Sequence, residues 1–177
     1  VGPLLEIKGL FPPGDPFEPD KSMAKARVIH TVGTSTRSRD EFFRLLNGYG
    51  IKAIVDIRRF PKSHRYPHFS KESLQKACKW QGLDYIWLGD LLGGFRAKGY
   101  ESYRKSESYL KGLAQVEEIS RREPVVLVCA ERFPWKCHRL QVARDLEAKG
   151  WKVVHIIERD RVWASKEAVN TPILGEE

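Results

Sequence analysis

The sequence predicts one α/β domain with a mostly parallel sheet of about five strands and helices on both faces. Three observations lead there. Short apolar runs alternate with segments of helical spacing about five times across residues 28–157, the order produced by right-handed crossovers between parallel strands. The runs at 51–57 and 125–129 are almost continuously apolar, as strands covered on both faces are. A chain of 177 residues suits a single core. Together these describe a Rossmann-like three-layer fold.

The elements follow in order. Residues 1–22 stand apart, because Pro3, Pro12, Pro13, Pro16 and Pro19 recur there with Gly2, Gly9 and Gly14. No helix and no central strand is expected in such a stretch. It reads as an extended arm, and residues 23–177 as the single domain. Met23, the one methionine, marks a candidate start, with the arm as an extension before it. Residues 28–32 form the first strand, which ends at Gly33. Ser38 and Glu41 make a capping box, and Phe42, Leu45 and Leu46 follow at helical spacing. Gly48 and Gly50 stop that helix. The second strand is 51–57. Ser70 caps a helix with Leu74, Ala77 and Cys78 on its apolar stripe, and a third strand covers 83–88. Residues 91–103 are glycine-rich and basic and read as a long loop. Leu110, Leu113, Val116 and Ile119 mark a helix over 106–120. The fourth strand is 125–129, a helix runs over about 136–149, and the fifth strand is 153–157. Residues after Arg159 show no periodicity and read as a tail.

Composition narrows the functional classes. There are 31 Lys and Arg against 23 Asp and Glu, a formal charge of +8. Such a balance favours an anionic partner, either a small molecule or nucleic acid. The three cysteines do not make a disulfide framework, and no signal peptide is visible. No apolar run approaches the roughly 20 residues that span a bilayer. The expectation is a cytoplasmic protein with no membrane partner and no cofactor. The sequence leaves the oligomeric state open.

In parallel sheets ligands collect outside the carboxyl ends of the strands. The first such end carries Gly33, Thr34 and Ser35, small residues whose backbone N–H groups are placed to bind an anion. The second carries Asp56 and Arg58. They share one side of an extended segment, so Asp56 is placed to orient Arg58 as an anion clamp or to hold it in a structural ion pair. The basic, aromatic stretch 62–69 follows, and then the paired glycines Gly93 and Gly94 after the third strand. His30 and His155 lie within strands and read as packed residues.

The fourth strand ends in the densest cluster, 129–139. Cys129 closes a buried strand before a helix, and Arg132, Lys136 and Arg139 favour a lowered thiol pKa. Cys129 is therefore a candidate nucleophile, Glu131 and His138 candidate proton carriers, and Arg139 a candidate anion ligand. In thiol phosphatases an arginine follows the cysteine with five residues between, and here that position is Trp135. Three other readings stand beside this one. Cys129 and Cys137 form a redox pair. Cys129, Cys137 and His138 bind zinc, which their eight-residue cysteine spacing disfavours, so no metal is expected. Or Cys129 is simply buried, with Glu131 and Arg139 paired to hold the loop.

Taken in order, Thr31-Val32-Gly33-Thr34-Ser35, Val55-Asp56-Ile57-Arg58 with Pro61, Leu88 through Gly93-Gly94, Cys129-Ala130-Glu131 with Cys137-His138-Arg139, and Val154-His155-Ile156 resemble the bacterial and archaeal family known as the domain of unknown function 488. The resemblance spans about residues 28–157. Thr34 stands where many members carry histidine. The resemblance implies a compact α/β fold and a shared site built from these motifs, without an established reaction.

Three functions follow as expectations. The first is an enzyme acting on a phosphate-, nucleotide- or nucleic-acid-containing substrate through Cys129, Glu131 and His138, with Arg58 and Arg139 on the anion. The second is a non-catalytic nucleic-acid-binding module, using basic loops at 58–68 and 96–105 with Phe60, Tyr66, Phe69, Tyr100 and Tyr103 to stack on bases. The third is a small-ligand sensor.

Overall fold

The computed structural model describes residues 5–6 and 27–165. Seven strands form one sheet. They are β1 (Leu5–Glu6), β2 (Val28–Gly33), β3 (Ala53–Asp56), β4 (Asp84–Trp87), β5 (Val125–Cys129), β6 (Lys152–Glu158) and β7 (Arg161–Trp163), in the spatial order β1-β7-β6-β2-β5-β3-β4. The strands β2 to β6 are mutually parallel. β7 turns back antiparallel against β6, and β1 pairs antiparallel with β7.

Six α-helices lie among the described residues: α1 (Arg39–Asn47), α2 (Lys71–Trp80), α3 (Gly89–Leu92), α4 (Tyr100–Tyr103), α5 (Glu107–Arg122) and α6 (Arg139–Ala148). α1 starts on the expected capping box. Ser38 Oγ accepts from the Glu41 amide at 3.2 Å, and the Glu41 carboxylate accepts from the Ser38 amide at 2.7 Å. Nine residues are too few for a helix to persist alone in water. Burial of Phe42, Phe43, Leu45 and Leu46 supplies the missing stability, roughly 1.5–3 kcal/mol for each side chain. Together with Leu74, Ala77 and Cys78 of α2 they cover one face of the sheet. α5 and α6 cover the other through Tyr109, Leu113, Val116, Val142 and Leu146. Asp145 of α6 ties the layer together, accepting from Tyr109 Oη at 2.6 Å and from Arg104 Nε at 2.8 Å.

This arrangement sets the position of the site. The chain moves outward through β2, β3 and β4 with α1 and α2 on one face. It then returns through β5 and β6 with α5 and α6 on the other. β5 therefore lies between two strands, β2 and β3, whose following helices leave toward the opposite face. In sheets of this kind ligands collect at such a point, beside the carboxyl end where Cys129 closes the strand.

Six expectations need correction. The stretch 91–103 is not all loop, because α3 and α4 flank it, each a single turn and so too short to show a period. The tail contains β7, whose three residues carry too little alternation to be read. Residues 5–6 of the arm belong to the sheet as an edge strand, a place proline-rich segments tolerate. The last helix begins at Arg139, after a separate 3-10 turn at Pro134–Lys136. The stripe of α5 is rotated, so Tyr109 is buried while Leu110 is 52% exposed. Ser70 does occupy the cap position of α2, but its hydroxyl donates to Ser73 Oγ instead of accepting a backbone amide. The rest of the arm and the residues after 165 lie outside the described residues.

Two consequences are measurable. A Cβ added at Gly33 would meet the Glu131 carbonyl oxygen at 1.9 Å and Arg132 Cα at 2.9 Å, both backbone atoms. Gly33→Ala should lower stability by about 1–3 kcal/mol in urea denaturation, as overpacking does. His155 is buried with Nδ1 2.6 Å from Thr31 Oγ1, and burial lowers its pKa to about 3. The unfolded chain, with a histidine pKa of about 6.5, takes up that proton first. The stabilisation is full above pH 6.5 and is lost progressively as pH falls toward 3. His155→Gln should flatten the decline measured between pH 6.5 and 5.

Candidate functional site

The chain leaves β5 at Cys129, passes the 3-10 turn, and comes back on itself before α6. Cys137 is extended there, and its Sγ lies 2.6 Å from that of Cys129. His138 follows directly. Its Nε2 is 3.2 Å from the Ile57 carbonyl oxygen, while Nδ1 lies 3.6 Å from Cys137 Sγ and 4.0 Å from Cys129 Sγ. A carbonyl only accepts, so Nε2 carries the hydrogen. Nδ1 faces both sulfurs, able to accept from Cys137 Sγ when it is bare and to donate to Cys129 Sγ when it carries a hydrogen. Ile57 follows β3, so the imidazole ties the loop after β5 to the end of the neighbouring strand.

Arg139 opens α6 and is wholly buried. Its two terminal nitrogens donate to the Glu131 and Arg132 carbonyl oxygens at 3.0 Å each, and Nε has no hydrogen-bond partner. No carboxylate pairs with it among the described residues. The expected Glu131–Arg139 ion pair is thus corrected: the Glu131 carbonyl holds the guanidinium, and its side chain is exposed. A buried cation needs a counter-charge. Of the groups able to carry a negative charge that interact with Arg139, Cys129 and Cys137 are the ones enclosed with it, whereas Glu131 is exposed.

These contacts govern the thiols. The hydrogen bond from Cys137, assisted by His138 and Arg139, outweighs burial and holds the Cys129 thiol well below the usual range. The same shared contact, with burial, drives Cys137 upward. The two shifts run in opposite directions, so the shared contact favours the proton on Cys137 and the negative charge on Cys129.

The three donor atoms of Cys129, Cys137 and His138 lie within 4.8 Å of one another. The eight-residue spacing disfavours a metal on paper, yet the returning loop brings all three together. Soft sulfur and imidazole suit zinc, and the Nε2–carbonyl bond is the outer contact that orients a metal-binding histidine. A structural zinc would take a fourth ligand, and no further His, Cys, Asp or Glu of the described residues joins the group.

The other candidates are placed differently. The amides of Thr34 and Ser35 are not free for an anion. They donate to the Cys129 and Ala130 carbonyl oxygens at 2.8 and 2.9 Å, extending the β2–β5 pairing past the strand ends. Gly33 allows residues 131–132 to approach this closely. Asp56 and Arg58 form a buried two-pronged pair, at 2.8 and 2.6 Å. The remaining guanidinium nitrogen donates to the Phe69 carbonyl oxygen at 2.8 Å, and Tyr85 Oη donates to Asp56 at 2.7 Å. This pair packs on the α1–α2 side, whereas Cys129 faces α5 and α6. The Arg58 charge nevertheless reaches Cys129, and the two groups interact electrostatically across the strand ends. A separate hollow lined by Asp84, Ile86 and Arg122 opens at the amino end of β4, remote in the fold from the cysteines.

The family described as "Domain of unknown function DUF488" matches residues 38–146, more than half of the chain. The chain belongs to the DUF488 family. The DUF488 match takes in Asp56, Arg58, Cys129, Cys137, His138 and Arg139, and stops short of Gly33, Thr34, Ser35 and His155. No match is found among curated proteins or among solved structures.

Some contributors to this DUF488 site went unread in the sequence. Tyr100 sets its ring 5.3 Å from His138, nearly perpendicular, with its hydroxyl on the Leu92 carbonyl at 2.6 Å. A Cβ at Gly94 would come within 3.2 Å of His138 Nδ1. The glycine pair signalled a close approach, but not what approaches. Three of the proposed stacking residues are also corrected. Phe69 is core, and the Tyr100 and Tyr103 hydroxyls are committed to α3 carbonyls.

Titration of the thiolate ultraviolet absorbance should show one cysteine ionising well below the ordinary pKa of about 8.5. Cys129→Ser should abolish that step and Cys137→Ala should move it upward. Cys78, pushed up to about 12 by burial, should stay silent through the neutral range.

Proposed function

We propose that the protein is a thiol-dependent enzyme in which Cys129 attacks an electrophilic atom of an anionic substrate, a phosphate-, nucleotide- or nucleic-acid-containing molecule. The observation that carries this reading is the enclosed group of two sulfurs, the Nδ1 of His138 and the unpaired guanidinium of Arg139. A thiolate, a proton donor, a proton acceptor and a fixed positive charge meet at one strand end.

Cys129 enters as the thiolate. Its lone pair forms the new bond to the substrate. The bond to the leaving group breaks, and that group departs with the electron pair and takes the proton held by Cys137. Water then displaces Cys129 from the covalent adduct, giving its proton first to His138 Nδ1 and from there to Cys137. Arg139 compensates the anionic sulfur, and Glu131, exposed beside the loop, is a second proton carrier. Support for an anionic substrate comes from the +8 charge and from residues 57–71, which hold five Lys or Arg and no Asp or Glu. Arg58, tied to Asp56, adds positive potential and loop order rather than a free ligand.

The 2.6 Å approach of the sulfurs favours a second reading, dithiol–disulfide exchange. Cys129 opens a substrate disulfide and releases one thiolate. Cys137 then attacks Cys129 Sγ, expels the other half and leaves a Cys129–Cys137 disulfide, which a low-molecular-weight thiol reduces.

Intact-mass spectrometry tests both readings with acetyl phosphate and glutathione disulfide as probes. On the first reading acetyl phosphate labels Cys129, and His138→Ala slows hydrolysis of the adduct about 100-fold, so that the label accumulates. On the second, glutathione disulfide yields the internal disulfide, and Cys137→Ser instead retains one glutathione on Cys129. If neither probe modifies Cys129 faster than it modifies the unfolded chain, both readings fail.

A further inference from the structure

Arg59, Phe60 and Phe95 form a surface feature that neither core packing nor the sulfur cluster accounts for. Phe60 is 65% exposed and Phe95 86% exposed. The Arg59 guanidinium lies 5.3 Å from the Phe60 ring centroid and also donates to the Phe95 carbonyl. Gly93 lets the two segments meet, since a Cβ there would come within 2.7 Å of the Arg59 nitrogen. Phe95 has φ +58, a region that bulky L-residues avoid. The fold therefore holds an aromatic residue in a costly conformation and leaves its ring in water. A glycine would adopt that backbone more easily, so the ring is retained for something outside the fold.

The surroundings indicate what that is. Lys62 and Arg65 are exposed on the same acid-free segment, 57–71. Ring faces stack on any base, and clustered cations neutralise phosphates. A duplex hides its bases, and an apolar protein patch would leave these cations unpaired. Phe95 also follows Gly94, which packs against His138. A strand on the rings would run close to His138.

We infer that Phe60 and Phe95, joined through Arg59, form a stacking platform for single-stranded nucleic acid. The platform lies outside the sulfur cluster, so strand binding and thiol reactivity are read by separate measurements and can fail independently.

Fluorescence anisotropy with a labelled oligothymidylate longer than one roughly 16-nucleotide site tests it. The wild-type protein should bind with an affinity that falls steeply with salt. Phe60→Ala with Phe95→Ala should weaken binding about tenfold or more, with an unchanged circular dichroism spectrum. Lys62→Ala with Arg65→Ala should reduce the salt slope by about 1.4. A duplex of equal length should bind more weakly. Absence of saturable binding at low salt, equal affinity of the aromatic double variant, or preference for the duplex would overturn the inference. So would sedimentation showing that the two rings instead join copies of the chain.

Discussion

The confinement of the Arg139 guanidinium is the constraint on which the site rests. It sits where the returning loop meets the first turn of α6, and it accounts for the shape of that loop by donating to two successive carbonyls, those of Glu131 and Arg132. Those residues are in turn pressed against Gly33 at the end of β2. Strand, loop and helix are thus held at one point by a cation. With no carboxylate beside it, its charge favours the ionised form of the neighbouring sulfur. The same interaction that orders the loop therefore tunes its chemistry.

The sheet supplies the second constraint. Because β5 lies between strands whose helices leave to the other face, its end is bordered by loops and not covered by a helix of its own layer. The imidazole of His138 fills part of that opening and reaches Ile57 on the neighbouring segment. The Asp56–Arg58 pair does comparable work on the opposite face, where it secures the start of the basic segment against Phe69 and Tyr85. Two polar centres thus sit back to back across one sheet end, the one ordering the chain and the other carrying the reactive groups.

Much of this was legible in the residues. The α/β alternation, the buried parallel strands, the Ser38–Glu41 cap and the importance of 129–139 all follow from local patterns, and local patterns are what a sequence displays directly. Elements of three or four residues, such as β7, α3 and α4, were not legible, because a single turn or a few strand residues cannot establish a period. The direction of side chains at the sheet end was equally hidden. Asp56 and Cys129 both close buried strands, but which face each takes depends on register between β3 and β5. The fate of backbone amides was hidden as well. Thr34 and Ser35 look available in sequence, and only the pairing with Cys129 and Ala130 shows that they are taken. Phe95 passed unread because an exposed ring and a buried one have the same letter.

The reactive groups all come from one short stretch, from Cys129 to Arg139, whereas the walls around them come from distant turns at 57–71 and 89–100. On the function proposed above, reactivity and selectivity are therefore encoded in separate parts of the chain. Inserting into, shortening or recharging the outer turns changes what is admitted without touching the sulfurs, so relatives built on this plan can diversify in their ligands while keeping one unchanged chemical centre.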